Sequence, residues 1–315
     1  MKLIVDGNNL AYRCDYALDL YTSTGKRTSV ISGGLNSLNN LILNLQEMLD
    51  ENVTDMIVVW DSGKAERRLK LLPEYKGQRH KETDEESVLR RQELKEQMNY
   101  FYRILPFFGI KSLKINKQEA DDLAYILKCE YRKRGIDEDL VFITTDEDYL
   151  QLVDENTIVW SPIKELLITK ENFEKLIEVP LEYFIQYKAL TGDKSDNIPG
   201  IRGIGKKTAK SLITKYKTIE NVLEDTENLE KSKRLQPLLL DESKEQLSIN
   251  LQMIDFSYVE YSDISKEIND FIDAESIINV KEVMKVLKEN QLVDIFSKLE
   301  SFLRVFKSIE NTKVI

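Results

Sequence analysis

The sequence predicts an α/β chain built on a parallel sheet, and three observations predict it. Short apolar or β-branched runs recur as "KLIVD" (2–6), "DMIVVWD" (55–61) and "LVFITTDED" (140–148), and each carries aspartate at or near its end. Helical patterns separate them, roughly from Ile31 to Leu49 and from Ala120 to Arg134. Strands that alternate with helices form parallel sheets. Ligands of such sheets sit beyond the carboxyl ends of the strands, so Asp6, Asp61, Asp146 and Asp148 are expected to share one rim.

A further strand-like run, "IKSLKI" (110–115), leads into "EADDLA" (119–124), where a helix begins. Acids favour the first helical turn because its free N–H groups carry partial positive charge, so this cluster has a plain structural explanation. On the helix Glu119 and Asp122 share a face while Asp121 points elsewhere. "TGDKSDNIPG" (191–200) adds Asp193 and Asp196. Asp6, Asp61, Glu119, Asp121, Asp122, Asp146, Asp148, Asp193 and Asp196 cannot all stay ionised side by side without raised pKa values or bound cations, and cations are the simpler answer. All-oxygen donors select hard ions such as Mg²⁺ or Mn²⁺, and a pair of them suits displacement at phosphorus. Calcium buffering fits less well, because the acids lack the alternating spacing of a calcium-binding loop.

The composition narrows the chemistry. A chain of 315 residues with 42% hydrophobic content can bury a large core. It has no long apolar run and reaches an aspartate three apolar residues into "MKLIVDGNNL", so neither a membrane span nor a signal peptide is expected, and the expected compartment is the cytoplasm. Cys14 and Cys129 lack metal-site spacing and read as reduced thiols. The single histidine, His80, leaves no room for a histidine triad or a multi-histidine metal site, so chemistry falls to carboxylates.

A net charge of −10 hides a basic stretch. Ile198 to Ile219 holds six Lys or Arg and no acid. Gly200, Gly203 and Gly205 precede a helical pattern that carries Lys206, Lys207 and Lys210, and Arg202 lies among the glycines. Glycines let backbone N–H groups approach phosphate at a helix start, and lysines extend the attraction along a strand. A second basic run, "SGKAERRLKLLPEYKGQRHK" (62–81), continues into mixed charge through Arg103, which equally fits a solvated helix face. Residues 220 to 315 are acidic, with amphipathic helical patterns and no sign of a site.

Six blocks in order, "VDGNNLAYR", "VVWDSGKAERR", "PEYKGQR", "EADDLA", "TTDEDYLQL" and "GDKSDNIPGIRGIGKKTA", resemble the 5′-nuclease family: phage and bacterial 5′-3′ exonucleases, flap endonucleases and the N-terminal nuclease of bacterial DNA polymerase I. The resemblance covers about residues 1 to 256. It implies a PIN-like α/β core over 1–178 with a helical arch at about 67–100. A helix-three-turn-helix DNA-binding module would follow over 179–256, then a helical extension of unknown role over 257–315. It further implies that Asp6, Asp61, Glu119 and Asp121 serve a first metal with Asp122 beside it, and that Asp146, Asp148, Asp193 and Asp196 serve or bridge to a second. Lys76, Arg79 and Arg13 match basic residues at the reacting phosphate. Tyr75 is either a ring stacking on a base near the junction or a packed core tyrosine.

The activity so implied is hydrolysis of a DNA phosphodiester near a 5′ end or flap junction. Mg²⁺ would be the cofactor, Mn²⁺ its substitute, and K⁺ an added ion at the helix-three-turn-helix. Branched or nicked duplex DNA with a 5′ end or flap would be the partner, with RNA–DNA hybrid and a replicative polymerase as further ones. The chain has no room for a polymerase of its own, and its Lys-, Ile- and Asn-rich composition fits a low-GC bacterium or its phage. A catalytically silent module for branched DNA is disfavoured by the complete acid set. A PIN-type ribonuclease is disfavoured by the "GIRGIGKK" stretch.

Overall fold

The computed structural model describes residues 1–78, 84–310 and 312–315. Its first half runs β1 (Lys2–Asp6), α1 (Gly7–Ala17), α2 (Ser29–Leu49), β2 (Asp55–Val59), α3 (Glu66–Leu71), α4 (Glu85–Ile104), β3 (Lys111–Leu113), α5 (Ala120–Lys133), β4 (Leu140–Ile143), β5 (Thr157–Ser161) and β6 (Leu166–Ile168). Helices α6 (Lys170–Ile177), α7 (Phe184–Thr191), α8 (Lys206–Tyr216), α9 (Ile219–Glu224), α10 (Thr226–Lys231), α11 (Asp241–Ile254) and α12 (Ser265–Asp273) follow. The chain closes with β7 (Ile277–Ile278), α13 (Val280–Glu289), α14 (Val293–Ser297), α15 (Leu299–Lys307) and β8 (Lys313–Val314).

Strands β1 to β6 form one sheet in the order β3-β2-β1-β4-β5-β6, and β7 and β8 pair with each other apart from it. The parallel sheet expected from sequence is present from β3 to β5, but β6 joins β5 antiparallel. Leu166 to Ile168 return directly from β5 through a short turn, and a hairpin return can only be antiparallel. Strand order reverses between β1 and β4, so the loops after these two strands diverge and leave a crevice at their carboxyl ends.

Both faces of the sheet are covered, which is why its strands read as unbroken apolar runs. Successive side chains go to opposite faces. Ile4, Ile57, Val59, Leu140 and Phe142 join one core with α5 and the helices from α7 to α12. Leu3, Val5, Met56, Val58, Val141 and Ile143 join the other, with α1, α2 and α4. The second core also takes Ile278, Val283, Leu287, Phe302, Phe306 and Ile309. The closing segment is pinned there by Asn39 Nδ2 donating to the Phe302 carbonyl at 2.9 Å and by Glu310 N donating to the Val53 carbonyl at 3.0 Å. Residues 277–309, expected as an extension, therefore form a layer of the sheet domain.

Of the expected arch at about 67–100, residues 79–83 lie outside the described residues, and the rest falls on α3, a turn through 72–78 and most of α4. Asp84 caps α4 by accepting from Ser87 N at 2.8 Å. The first turns of α4 are largely exposed, whereas Leu94, Gln97, Phe101 and Ile104 bury its second half.

Candidate functional site

Local chemistry fixes the rim acids one by one. Asp6 ends β1 and caps α1, its Oδ1 accepting from Asn9 N at 2.9 Å. Its Oδ2 accepts from the Thr144 hydroxyl at 3.0 Å, and Thr144 Oγ1 in turn accepts from Asp146 N at 3.0 Å. One buried threonine thus ties the end of β1 to the loop after β4. Asp61 accepts from Ala120 N at 2.8 Å and from Asn8 Nδ2 at 3.0 Å, which locks the end of β2 to the starts of α5 and α1. Asp146 accepts from Asp148 N at 2.9 Å. Asp193 accepts from Ser195 N at 2.8 Å, inside a tight loop closed by paired backbone bonds between Asp193 and Ile198. Asp196 accepts at its carbonyl from Lys76 N and at its carboxylate from Tyr75 Oη.

Among the described residues, three cations stand between these acids. Arg68 of α3, 3% exposed, makes a two-pronged pair with Asp122 (Nη1 at 3.0 Å, Nη2 at 2.9 Å) and also reaches Glu119 at 2.5 Å and Asp121 at 3.3 Å. Lys76 reaches Glu119 Oε1 at 2.7 Å and Asp196 at 3.7 Å. Lys188, in the last turn of α7, bridges Asp148 and Asp193 at 2.9 Å each. Arg68, Lys188 and Thr144 are not among the site residues expected from sequence. Nothing in "AERRLK" separates Arg68 from Arg67, and the one available signal for Lys188 is a lysine in the otherwise apolar turn "YKAL".

Nine carboxylates against these three cations leave a surplus of negative charge, and the proton affinities record it. Burial, with Asp61 and Asp121 nearby, pushes Asp6 up to about 7. Burial also raises Asp61, Asp146 and Asp148, the last partly relieved by Lys188. Asp122 rises to about 7 through burial despite Arg68. Asp193 goes the other way, held below the usual range by Lys188 and Ser195 despite burial. So does Asp121: burial lifts it, but Arg68 and Lys76 outweigh that and hold it below the usual range. Its charge acts on Asp6, Asp61, Asp146 and Asp148 alike. Asp121, expected to point away from Glu119 and Asp122, instead shares Arg68 with them, and carboxylate oxygens of the three lie within 4.8 Å of one another. The donor set, all oxygen and short of positive charge, fits hard divalent cations.

This arrangement sets a pH dependence. Asp6 and Asp122 hold protons to about pH 7 in the folded chain against an ordinary value of 3.8. Between those values the folded state binds more protons than the unfolded one, so stability falls as pH rises through that window. A cation that replaces the protons removes the penalty. Added Mg²⁺ is expected to raise the unfolding temperature more at about pH 8 than at about pH 5, and equal shifts at both would contradict a carboxylate site.

Tyr75 is 1% exposed, so it does not present a ring to a base. Of the two readings open in the sequence, the packed tyrosine is the one found. Its phenol oxygen lies 2.8 Å from Glu119 Oε2 and 3.0 Å from Asp196 Oδ2, and its single proton serves one at a time. Arg13 is half-buried on α1, where burial lowers its proton affinity and the charge of Asp6 partly restores it. Arg79 and His80 lie outside the described residues.

On the far wall of the crevice, a cleft of about 790 Å³ is lined by Asn9, Asp146, Lys188, Asp193, Gly205 and Lys206. Arg202, Lys206 and Lys207 are exposed beside it. Lys210 is half-buried and pairs with Glu178 at 2.7 Å. Gly205 opens α8 with no described atom within 4 Å of where a Cβ would stand, so its backbone is accessible. Gly200 has a different reason to be glycine: a Cβ there would lie 2.2 Å from the Thr191 carbonyl oxygen. Gly203 takes a left-handed φ of +84°.

Comparison with known families fits this geometry. A family model described as 5′-3′ exonuclease, N-terminal resolvase-like domain, matches residues 1–178, and one described as 5′-3′ exonuclease, C-terminal SAM fold, matches residues 179–272. The chain belongs to the 5′-3′ exonuclease family. It is a nuclease by descent, with the family's parallel-sheet core and helical second part. A 5′-3′ exonuclease of Aquifex aeolicus is 32% identical over 305 residues, covering 96% of each chain. DNA polymerase I of Caldicellulosiruptor bescii is 34% identical over 242 residues, 74% of this chain but 27% of that protein. Among solved structures, a flap endonuclease of bacteriophage T5, captured as a pseudo-enzyme–product complex with DNA and metal ions, has a TM-score of 0.69. It is 25% identical and covers 86% of this chain and 98% of its own. Among the described residues no helix is long and apolar enough to cross a membrane.

Proposed function

We propose that this exonuclease-family chain hydrolyses DNA phosphodiester bonds near 5′ ends or flap junctions. The observation that carries the reading is the single rim of nine carboxylates, held by backbone and side-chain donors and facing the basic start of α8 across one cleft. Asp6, Asp61, Asp121 and Glu119 would hold one divalent cation and Asp146, Asp148, Asp193 and Asp196 a second. Asp122 is committed to Arg68 and supports the first group from behind. Mg²⁺ is the proposed ion and Mn²⁺ its substitute. Such a pair supplies an activated water and stabilises the leaving 3′ oxygen.

The protein's own residues do the rest. Lys76, with Arg13 and Arg79, would offset charge building on the phosphate. Arg202, Lys206, Lys207 and the open backbone at Gly205 would hold the duplex, joined by Lys210 once it releases Glu178, with K⁺ at the turn before α8. Phosphate contacts carry no base information, so RNA annealed to DNA is a proposed second substrate. A polymerase acting beside the chain and a cytoplasmic setting complete the proposal.

The test compares cleavage of a 5′-flap duplex, nicked duplex, RNA–DNA hybrid and free RNA with Mg²⁺ present. Asp148→Asn and Asp193→Asn should abolish most turnover while flap binding in calcium persists. Wild-type cleavage in excess chelator, or full activity in both variants, would defeat the two-cation reading.

The duplex grip makes its own prediction. Lys206→Ala with Lys207→Ala should weaken duplex binding and reduce the slope of log affinity against log salt by roughly 0.9 for every phosphate that is no longer neutralised. An unchanged affinity and slope would reduce α8 to a solvated helix.

A further inference from the structure

A cavity of about 880 Å³ opens among the loop before α2, the second half of α4 and the residue after β3, and none of the nine acids lines it. Trp60, next to Asp61 in the chain, packs edge-on against Tyr102 in the cavity wall at 6.4 Å. Lys26, Gln97, Tyr100, Tyr102, Arg103 and Lys114 line it. Its size falls within the range of small-molecule sites, which are largely apolar with a few convergent polar groups.

Two independent features mark it as built for a ligand. The first is Gln97, 5% exposed on α4. Its Oε1 accepts from Val30 N at 3.0 Å, which fixes the amide's orientation, and its buried Nε2 has no hydrogen-bond partner among the described residues. Buried donors are nearly always satisfied; this one has no partner inside the protein and is shut off from solvent, so an acceptor in the cavity reaches it only when the amide turns outward. The second is charge. Among the described residues Lys26 donates to the neutral Asn290 Oδ1 at 2.8 Å, Lys114 to Asn99 Oδ1 at 3.2 Å, and Arg103 to the Asn99 carbonyl at 3.3 Å, none of them to a carboxylate. Each also sits over a tyrosine face: Lys26 and Arg103 over Tyr100, Lys114 over Tyr102. Glu93 and Glu96 on α4 are the acids of the lining, so the cations outnumber them.

We propose that this cavity binds a nucleoside 5′-phosphate, with the phosphate drawing Lys26, Arg103 and Lys114 off the tyrosine faces, the base stacking in their place, and an oxygen or ring nitrogen accepting from Gln97 Nε2 once its amide turns into the cavity. An inorganic anion would meet the cations but leave the aromatic wall and the buried amide unused. The same chemistry is offered by a free nucleotide and by the terminal nucleotide of a single-stranded 5′ DNA end.

The test is calorimetric binding to the full-length protein in excess chelator, where cleavage is absent, so failure here leaves the nuclease reading untouched. The probes are dAMP, dTMP, inorganic phosphate and a short single-stranded oligonucleotide with and without a 5′-phosphate. The mononucleotides should bind saturably and at least roughly tenfold more tightly than phosphate. Lys114→Ala and Arg103→Ala, both surface changes, should each weaken them, Gln97→Glu should do so more, and Glu96→Gln should tighten them. Displacement of bound dTMP by the phosphorylated oligonucleotide but not the unphosphorylated one assigns the site to a DNA 5′ end, and displacement by mononucleotides alone assigns it to free nucleotide. Equal affinity for inorganic phosphate, no saturable binding, or binding indifferent to Lys114, Arg103 and Glu96 would overturn the proposal.

Discussion

Arg68→Ala is expected to cost roughly 3–5 kcal/mol of folding stability, read as a lower midpoint in urea unfolding in chelator. Its guanidinium is buried against Asp122, Glu119 and Asp121, with two nearly parallel bonds to Asp122 at 3.0 and 2.9 Å. Removing it leaves three close carboxylates without their main counter-charge in a site that excludes water. Their proton uptake limits the loss at low pH, so the deficit should widen as pH rises. Arg68→Lys is no substitute, because one ammonium cannot make the two-pronged contact. A divalent cation should recover part of the deficit by supplying the missing charge. A loss below about 1 kcal/mol would mean that the acids relax into solvent and that α3 does not hold the rim together.

Lys76→Ala is expected to slow single-turnover flap cleavage on the order of 100-fold while leaving binding in calcium nearly intact. Its ammonium lies 2.7 Å from Glu119 and 3.7 Å from Asp196, on the acid rim and away from the duplex grip. A cation so placed acts on charge that develops in the transition state. Lys76 also takes a left-handed φ of 52°, a strain that the native lysine already bears and that alanine keeps. Lys76→Gly removes the ammonium without that strain, and the two variants should share the catalytic defect while differing in stability. Should binding fall by the whole factor lost in rate, Lys76 belongs to the grip and not to the chemistry.

The parts of this molecule legible in its sequence are those with local signals. Apolar runs marked β1, β2 and β4, and the acids at or just beyond their ends announced a rim that the fold brings together. The antiparallel turn of β6 was not legible, because three apolar residues carry no sign of which neighbour they will join. Nor were the cations. Arg67 and Arg68 are adjacent and alike, yet one reaches the Gln252 carbonyl while the other is buried on carboxylates. Burial of that kind is set by α5 and α11, elements distant in the chain. Tyr75 shows the same limit: its ring chemistry suits a base, and tertiary packing decides that it meets Glu119 and Asp196 instead.

The closing layer from β7 to α15 gives synthesis an order. Leu3 and Val5 share one core with Phe302, Phe306 and Ile309, which follow them by nearly the whole of the sequence. While the chain emerges from N to C terminus, α1, α2 and α4 can cover that face of the sheet early, but the surface they leave for β7 to α15 stays open until residues near 309 have left the ribosome. The nascent nuclease therefore carries an apolar surface on α2 and its neighbours uncovered for most of its translation, the kind of surface that chaperones cover and that aggregation exploits.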